Sequence, residues 1–486
     1  MRSVPRRIRP GRRDSGTAHL RSSRWGIAAT GASLLGAVLL LSGCASSGFG
    51  DTETPPLVSS YAQAGAPAVP RDLTGWWRTF RDPTLDRLVE RAAADSLTLA
   101  QARARLAAGR AQVSAAHALF LPTLGAGGTA IAATPKADNS DPLRRPLMAG
   151  FDMSWDVGLF GLSENTARAA DAGQAILEAD LEAIRVVMTA EVASAYISLR
   201  SVQQQQVIAA ALVSAQRQSR EAGRSLVHSG LATVAAEADL AAALAESEAE
   251  QANLDARARG LQQQIATLLG TSAPDAAVMR SGDQPQSTQG PQTSRPNELL
   301  RARPDVRAAE QKVLLAAAEV GIAQAGLYPR LRLVGTIGVG APFTSSPFGV
   351  AGGPVIEIPL LDYGRRQGVV TARQALYDEA VAAYRQSVLQ AYQEAVTAQA
   401  NWRASRTAAA EQRSALDAAE RKAREVRVLQ REGLVDRGRV ADAEAGVLER
   451  RRRLVLSRET EALSLAALYK AIGGAASSPA TTAGQR

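Results

Sequence analysis

From Leu162 to Gly270 the chain is helix-forming sequence with no proline and one clear break. Leu177, Leu181, Ile184, Met188, Val192, Ala195, Leu199 and Val202 recur in steps of three and four, which makes one apolar seam along a helix. Nothing stops that helix between Leu162 and His228, and at 1.5 Å per residue it is roughly 100 Å long. An arm of that length cannot be packed inside an ordinary domain. Gly230, in His228-Ser229-Gly230-Leu231, supplies the turn, and Ala235 to Leu269 returns as a second helix of roughly 50 Å. The stretch is therefore a long antiparallel hairpin.

The hairpin occurs twice. A shift of 203 residues lays Gly230-Leu231 on Gly433-Leu434, Asp239 on Asp442, Glu191 on Glu394, Arg200 on Arg403 and Gly270 on Gly473. A shift of 207 lays Leu121-Pro122 on Tyr328-Pro329, each pair closing a helical run and opening a strand-like one. An internal duplication of this size predicts two structural repeats, each building half of one architecture. The first covers 71–270 and the second 304–473. A Pro/Ser/Gln/Gly-rich crossover, 271–303, separates them, and a disordered tail occupies 474–486.

Only 4% of the residues are aromatic although 46% are hydrophobic, so alanine-rich walls of close-packed helices suit the chain better than a thick core. A net charge of +9 would suggest a nucleic-acid partner, but residues 1–43 hold eight arginines and one aspartate, which leaves about +2 for the rest. No nucleic-acid role follows. The basic segment precedes an apolar run from Ile27 to Leu41 that is too short for a permanent span, so 1–43 reads as a signal peptide. It ends in Leu41-Ser42-Gly43-Cys44, which resembles a bacterial lipobox; Cys44 is then the lipidated N-terminus, carrying palmitate, and 44–70 a lipid-anchored linker. Cys44 is the one cysteine, which excludes an internal disulfide and a thiolate metal cluster.

Residues 121–134 and 150–160 read as strands. In the second, Phe151, Met153, Trp155, Val157 and Leu159 alternate with Asp152, Ser154, Asp156 and Gly158, so the odd-numbered residues are expected to face lipid. Strand three alternates Leu331, Leu333, Ile337 and Val339 with polar or small residues, and strand four sets Ile356, Ile358 and Leu360 against Glu357. The polar stretch Pro342 to Pro347 joins them. Greasy-out, polar-in strands of about ten residues mark a membrane barrel, and since four cannot close one, the chain must oligomerise. On numbers alone, two copies would give eight strands and three would give twelve.

Catalytic or metal chemistry finds no support. The three histidines are far apart, and the glycines of Gly335-Thr336-Ile337-Gly338-Val339-Gly340 lie in an alternating strand without the helix a dinucleotide loop requires. Arg450 to Arg453 reads as a solvated face or a set of interhelical ion pairs. No enzyme activity and no cofactor beyond the lipid on Cys44 are expected.

Several motifs in order carry a resemblance that spans the mature chain: Trp76-Trp77 with Phe80 and Asp82-Pro83; Ser154-Trp155-Asp156 with Leu159-Phe160-Gly161; Arg303-Pro304-Asp305-Val306; Tyr328-Pro329; Leu361-Asp362-Tyr363-Gly364-Arg365; and Leu468 to Gly474. The chain resembles the TolC-like outer-membrane factors, in particular their lipoprotein (NodT-type) branch. The resemblance implies an α+β membrane protein, a homotrimer whose twelve-stranded barrel continues as a long helical tunnel in the periplasm. It also implies a passive exit duct in a tripartite efflux system, with outer-membrane lipid, a periplasmic adaptor and an inner-membrane transporter of the resistance-nodulation-division type as partners. A periplasmic adaptor or coiled-coil scaffold lipoprotein is the alternative, weakened by the presence of two hairpins and alternating strands.

Each hairpin tip carries a glycine followed nine residues later by an aspartate: Gly230 with Asp239, and Gly433 with Asp442. The resemblance places Asp442 at a constriction of the periplasmic gate. There Arg439 or Arg437 of a neighbouring copy could pair with it, since Gly438 and Arg439 stand where the family often has a bulky apolar residue and, in some members, a second acidic one. The alternative is that Asp442 only caps the helix that begins near it.

Overall fold

Two helices of equal length dominate the computed structural model, which describes residues 75–130, 147–287, 290, 303–339 and 348–474. All of these belong to one unit, Phe49–Arg486. The signal peptide, Cys44, the 44–70 linker, Pro342 to Pro347 and residues 475–486 lie outside the described residues.

In chain order the elements are a 3-10 turn (Trp76–Phe80), α1 (Pro83–Asp95), α2 (Leu97–Ala118), β1 (Thr123–Ala130), β2 (Leu147–Asp156), α3 (Leu162–His228) and α4 (Val234–Leu268). There follow α5 (Ala276–Met279), α6 (Pro304–Ala325), β3 (Arg330–Val339), β4 (Phe348–Glu357), α7 (Arg365–Arg431) and α8 (Arg437–Ala471). Both long helices, α3 and α7, run 67 residues and both return helices 35, so the pattern without proline behaves as the seam implies. α3 and α7 each start behind a left-handed glycine, Gly161 at φ 79° and Gly364 at φ 84°. The residue before each is also left-handed, Phe160 at φ 56° and Tyr363 at φ 53°. For a bulky aromatic that conformation costs about 1–2 kcal/mol. Phe160 is held there by stacking on Tyr328, ring centres 4.9 Å apart.

The core forms where α1, α2 and the 3-10 turn cover the middle of α3 and the end of α8. Asp82 starts α1 by accepting hydrogen bonds from the Thr84 and Leu85 amides, with Pro83 at the first helical position. That turns Leu85, Leu88 and Val89 inward against Val192, Leu199 and Leu465, all fully buried. Trp76, Trp77 and Phe80 are buried in the same cluster, and Trp76 stacks on Tyr469 at 5.0 Å. They anchor the start of the described chain on its final helix.

The four strands form one antiparallel sheet in the order β1-β2-β3-β4. Two of the strands differ in their bounds from the sequence reading. β2 ends at Asp156: its carboxylate accepts from the Gly158 amide, and Gly158 at φ 61° turns the chain, so Val157 and Leu159 are half-buried in a junction rather than strand residues facing lipid. Trp155 also leaves the expected pattern, donating its indole N–H to the Phe120 carbonyl at 2.8 Å. β4 begins earlier and stops at Glu357, leaving Ile358 and Leu360 beyond it.

The start of the crossover is not a loose linker. Asp275 caps α5, Val278 is fully buried, and the carbonyls of Val278 and Gly282 accept from Gln203 and Gln204 of α3.

Candidate functional site

Three regions carry the side chains of interest: the sheet, a belt around the middle of the long helices, and the two hairpin tips.

Strand register sorts the sheet into two unlike faces. Ala126, Phe151, Ile337 and Val350 form one rung across all four strands; Leu124 with Met153, and Val339 with Phe348, extend the same face. Phe151, Met153, Ile337, Val339, Phe348 and Val350 are 43–69% exposed, and Leu124 is 74% exposed. The opposite face carries Gly125, Asp152, Thr336 and Ala351 in one rung, Thr123, Ser154, Val334 and Gly353 in the next. A continuous exposed apolar face backed by a polar, glycine-rich one suits a wall between lipid and water. β1 and β4 are the two edges, each with one side unpaired within the chain.

The belt rests on two buried arginines. Arg200 donates to the Tyr196 hydroxyl at 2.9 Å, to Gln203 at 2.8 Å, and to the carbonyls of Arg280 and Ala277. Tyr196 passes its own hydrogen to Asp82 at 2.7 Å, so α1, α3 and the crossover share one network. Burial, then the bond to Asp82, pushes the Tyr196 hydroxyl up to about 12. Arg303 donates to the Ala471 carbonyl at 2.6 Å, to Asp305 at 3.0 and 2.7 Å, and to Glu394 at 2.7 Å, tying the start of α6 to the end of α8 and the middle of α7. Neither arginine stands out as a site from sequence alone. The two available hints are a charged residue inside an apolar seam at Arg200, and the Arg303-Pro304-Asp305 motif.

Both tips use one construction. The amide of Gly230 donates to the Val227 carbonyl at 3.0 Å and that of Leu231 to Leu226 at 2.8 Å; Gly433 and Leu434 repeat this on Gln430 and Leu429 at 3.1 and 2.9 Å. A Cβ on either glycine would touch nothing within 4 Å, so φ values of 70° and 74° account for the residue type. Leu231 and Leu434 stand 76% and 70% exposed at the two ends. Thr233 caps α4 through the Ala236 amide, and Asp436 caps α8 through the Arg439 amide at 2.8 Å.

That last bond corrects the capping alternative for Asp442, which lies inside α8, exposed, more than a turn past the capped end. Asp239 is likewise exposed within α4. Asp442 lines a cleft of about 770 Å³ between α3 and the α7–α8 hairpin, together with Arg424, Arg427 and Arg451. Among the described residues no ion pair joins Asp442 to Arg437 or Arg439 of the same chain; all three are exposed. Ion pairs zip each hairpin: Arg217–Glu248 at 2.7 Å and Arg220–Glu237 at 3.3 Å in the first, Glu420–Arg451 at 3.2 Å and Arg427–Glu444 at 2.8 Å in the second. Of the run Arg450 to Arg453, Arg451 is spent this way, while Arg452 and Arg453 pair with Glu449 on their own helix.

An open sheet with one greasy face, extended by helices far longer than a domain, defines a channel protein of the outer membrane. The chain belongs to the outer membrane efflux protein family, whose model matches residues 88–271 and 295–474. It is an efflux channel of the outer membrane, reaching into the periplasm. Outer membrane protein OprJ of Pseudomonas aeruginosa is 29% identical over 389 residues, 76% of this chain and 80% of that protein. Nodulation protein T of Rhizobium leguminosarum bv. trifolii is 27% identical over 413 residues, 81% and 83% of the two chains. The solved structure of the outer membrane protein VceC from Vibrio cholerae superposes with a TM-score of 0.70 at 28% identity, covering 83% of this chain and 99% of that one.

Proposed function

We propose that three copies close their sheets into one twelve-stranded barrel, continued by helices into a periplasmic tunnel, and that the assembly is a passive exit duct with no catalytic step. The carrying observation is the four-stranded sheet with a continuous apolar face and two open edges. Such edges are not tolerated in lipid, and four strands are too few to close alone. The chain would act with a periplasmic adaptor and an inner-membrane transporter of the resistance-nodulation-division type. The two halves act as structural repeats: left-handed residues recur 203 apart at Phe160/Tyr363, Gly161/Gly364, Gly230/Gly433 and Gly270/Gly473, which supports that reading.

The tips form the periplasmic gate in this proposal, with Asp442 from three copies narrowing the pore and favouring cations. Arg437 or Arg439 of a neighbouring copy holds it closed; exposed pairs of this kind are worth about 0.2–1 kcal/mol, weak enough for an adaptor to release. Purified protein in planar bilayers should carry a cation-preferring current, and Asp442→Ala should raise the closed-state conductance and reduce that preference. No current from the wild type would sink the duct; an unchanged conductance and selectivity in Asp442→Ala would sink the gate assignment alone.

Cys44 carries the lipid in this proposal, and the barrel inserts without it because its greasy band is its own. Cys44→Ser is expected to lose palmitate labelling while trimer remains in the membrane. Labelling that persists would overturn the assignment.

A further inference from the structure

The two hairpins of the chain are tied together by polar side chains at one level of their length. There Ser201 of α3 donates its hydroxyl hydrogen to Glu459 of α8 at 2.7 Å, and Gln205, one turn on, donates to the Ser201 oxygen at 3.1 Å. Arg257 of α4 stands 3.7 Å from the same carboxylate. Ser201, Gln205 and Glu459 are 0%, 5% and 7% exposed, so the contact lies inside the helix seam. At the same level the crossover lies across both hairpins. Gln203 and Gln204 hold its Val278 and Gly282 carbonyls to α3, and buried Gln284 donates to the Val455 carbonyl of α8 at 2.8 Å. Gly290 packs so closely on Trp402 of α7 that a Cβ there would strike the ring.

Toward the tips the hairpins part. The cleft of about 770 Å³ opens between Ala211 to Ser219 of α3 and Ala441 to Arg451 of α8. Among the described residues, the ion pairs beyond Ser201 and Glu459 stay within one hairpin or the other. Glu250 of the first hairpin attracts Arg452 of the second only from a longer range. The tie is also not a general feature of the repeat. The 203-residue shift puts Ala404, Ala408 and Ala256 in place of Ser201, Gln205 and Glu459, all three exposed within the chain. Pairing long helices therefore does not require the carboxylate, and a buried one is costly to keep.

We propose that Glu459 is a positioning residue for the gate: held by Ser201 and Gln205 beneath the crossover, it is the fulcrum that sets the angle at which the two hairpins of a chain diverge. This rests on the duct reading and adds to it the point about which the tips are placed. A carboxylate suits the task because it has one station. Slid along α3 away from Ser201, it would lie buried without a donor, whereas facing alanines leave a seam that can shift. From Ser201 to His228 α3 runs about 40 Å, so a tilt of about 5° at the fulcrum moves a tip by roughly 3–4 Å.

Spin labels on Leu231→Cys and Leu434→Cys, in full-length protein with one labelled chain per trimer, report the separation of the two tips. Protein without these substitutions, whose one cysteine is Cys44, is the background. Glu459→Ala is expected to shift or widen that separation by about 3 Å and to raise the closed-state conductance in planar bilayers about threefold. Ser201→Ala, a milder change, should move both in the same direction. Glu459→Gln, which keeps an acceptor for Ser201, should return both to the wild-type values; failure to do so would count against the hydrogen bond as the fulcrum. A lower melting temperature with separation and conductance unchanged in both alanine variants would reduce the tie to packing and overturn the fulcrum, leaving the duct standing. A wild type that carries no current, with the separation still shifted by Glu459→Ala, would overturn the duct reading and leave the fulcrum.

Discussion

Arg303→Ala is expected to lower stability by about 2–3 kcal/mol, the largest loss of any single polar substitution in the belt. The Arg303 side chain is 9% exposed, and its planar fork satisfies three separate groups at once. One of these, the Ala471 carbonyl, is among the last of α8 and has no partner further along the helix. The two carboxylates are about half-exposed, 50% for Asp305 and 58% for Glu394, and can return to water, so the full penalty of a broken buried pair is not reached. Arg303→Lys should recover only part of the loss, because a single ammonium cannot reach all three. The pH dependence separates this latch from simple packing. Burial alone would raise the Asp305 carboxyl, but the hydrogen bonds and charge of Arg303 outweigh it and hold the group below its usual value. A depressed carboxylate contributes stability above its unfolded pKa, near 3.9, and loses it as pH falls through the folded value. Thermal unfolding followed by circular dichroism should therefore show the wild type and Arg303→Ala separated at pH 7 and converging at low pH. A separation that persists under strongly acidic conditions would point to packing instead.

Phe151→Arg should cost about 2–4 kcal/mol per copy and deplete the protein from the outer membrane, while Asp152→Arg should be nearly neutral. The two residues are neighbours at the centre of β2 on opposite faces, so strand propensity and chain position are matched. Phe151 sits in the apolar rung with Ala126 and Ile337; Asp152 sits with Gly125 and Thr336. Membrane-fraction yield and heat-modifiable mobility provide the measurement, and equal tolerance would mean the sheet is not embedded in lipid. Val157 and Gly158 cannot make this comparison, although alternation alone suggests them. They lie past the end of the strand, and a Cβ on Gly158 would come within 2.7 Å of Phe120 in a left-handed turn.

Those two positions also show how far the fold could be read. The helices were legible almost to the residue because their ends are written in local chemistry: Gly161 and Gly364 before the long helices, Gly230 and Gly433 after them, Pro83 and Pro304 at first helical positions. Strand ends were less legible, since hydrophobic alternation continues through the Asp156-to-Leu159 turn, whose burial comes from Phe120 and Ser163 rather than from a sheet. Of the belt, the positions of Arg200 and of the Arg303-Pro304-Asp305 motif were visible in the sequence, but none of their partners was. Arg303 meets the Ala471 carbonyl 168 residues away and Arg200 meets that of Arg280 80 residues away, separations no periodicity records. At the tips, the sequence located Asp442 but not its surroundings, because two of the three arginines lining its cleft, Arg424 and Arg427, come from a different helix.

The ion pairs that zip the hairpins carry a history in their signs. Arg217 corresponds by the 203-residue shift to Glu420, and Glu248 to Arg451, so one rung is kept in both halves with its polarity reversed. Coulomb attraction depends on the product of the two charges, so reversing both leaves each hairpin as it was. The cost appears only on exchange: α3 offered α8 in place of α4 would set Arg217 against Arg451, and α7 offered α4 would set Glu420 against Glu248. Each like-charge rung is worth only about 0.2–1 kcal/mol at such exposure, but it acts on both wrong pairings at once and on neither right one. Two hairpins alike enough to trade helices thus carry a polarity code that sorts self from copy.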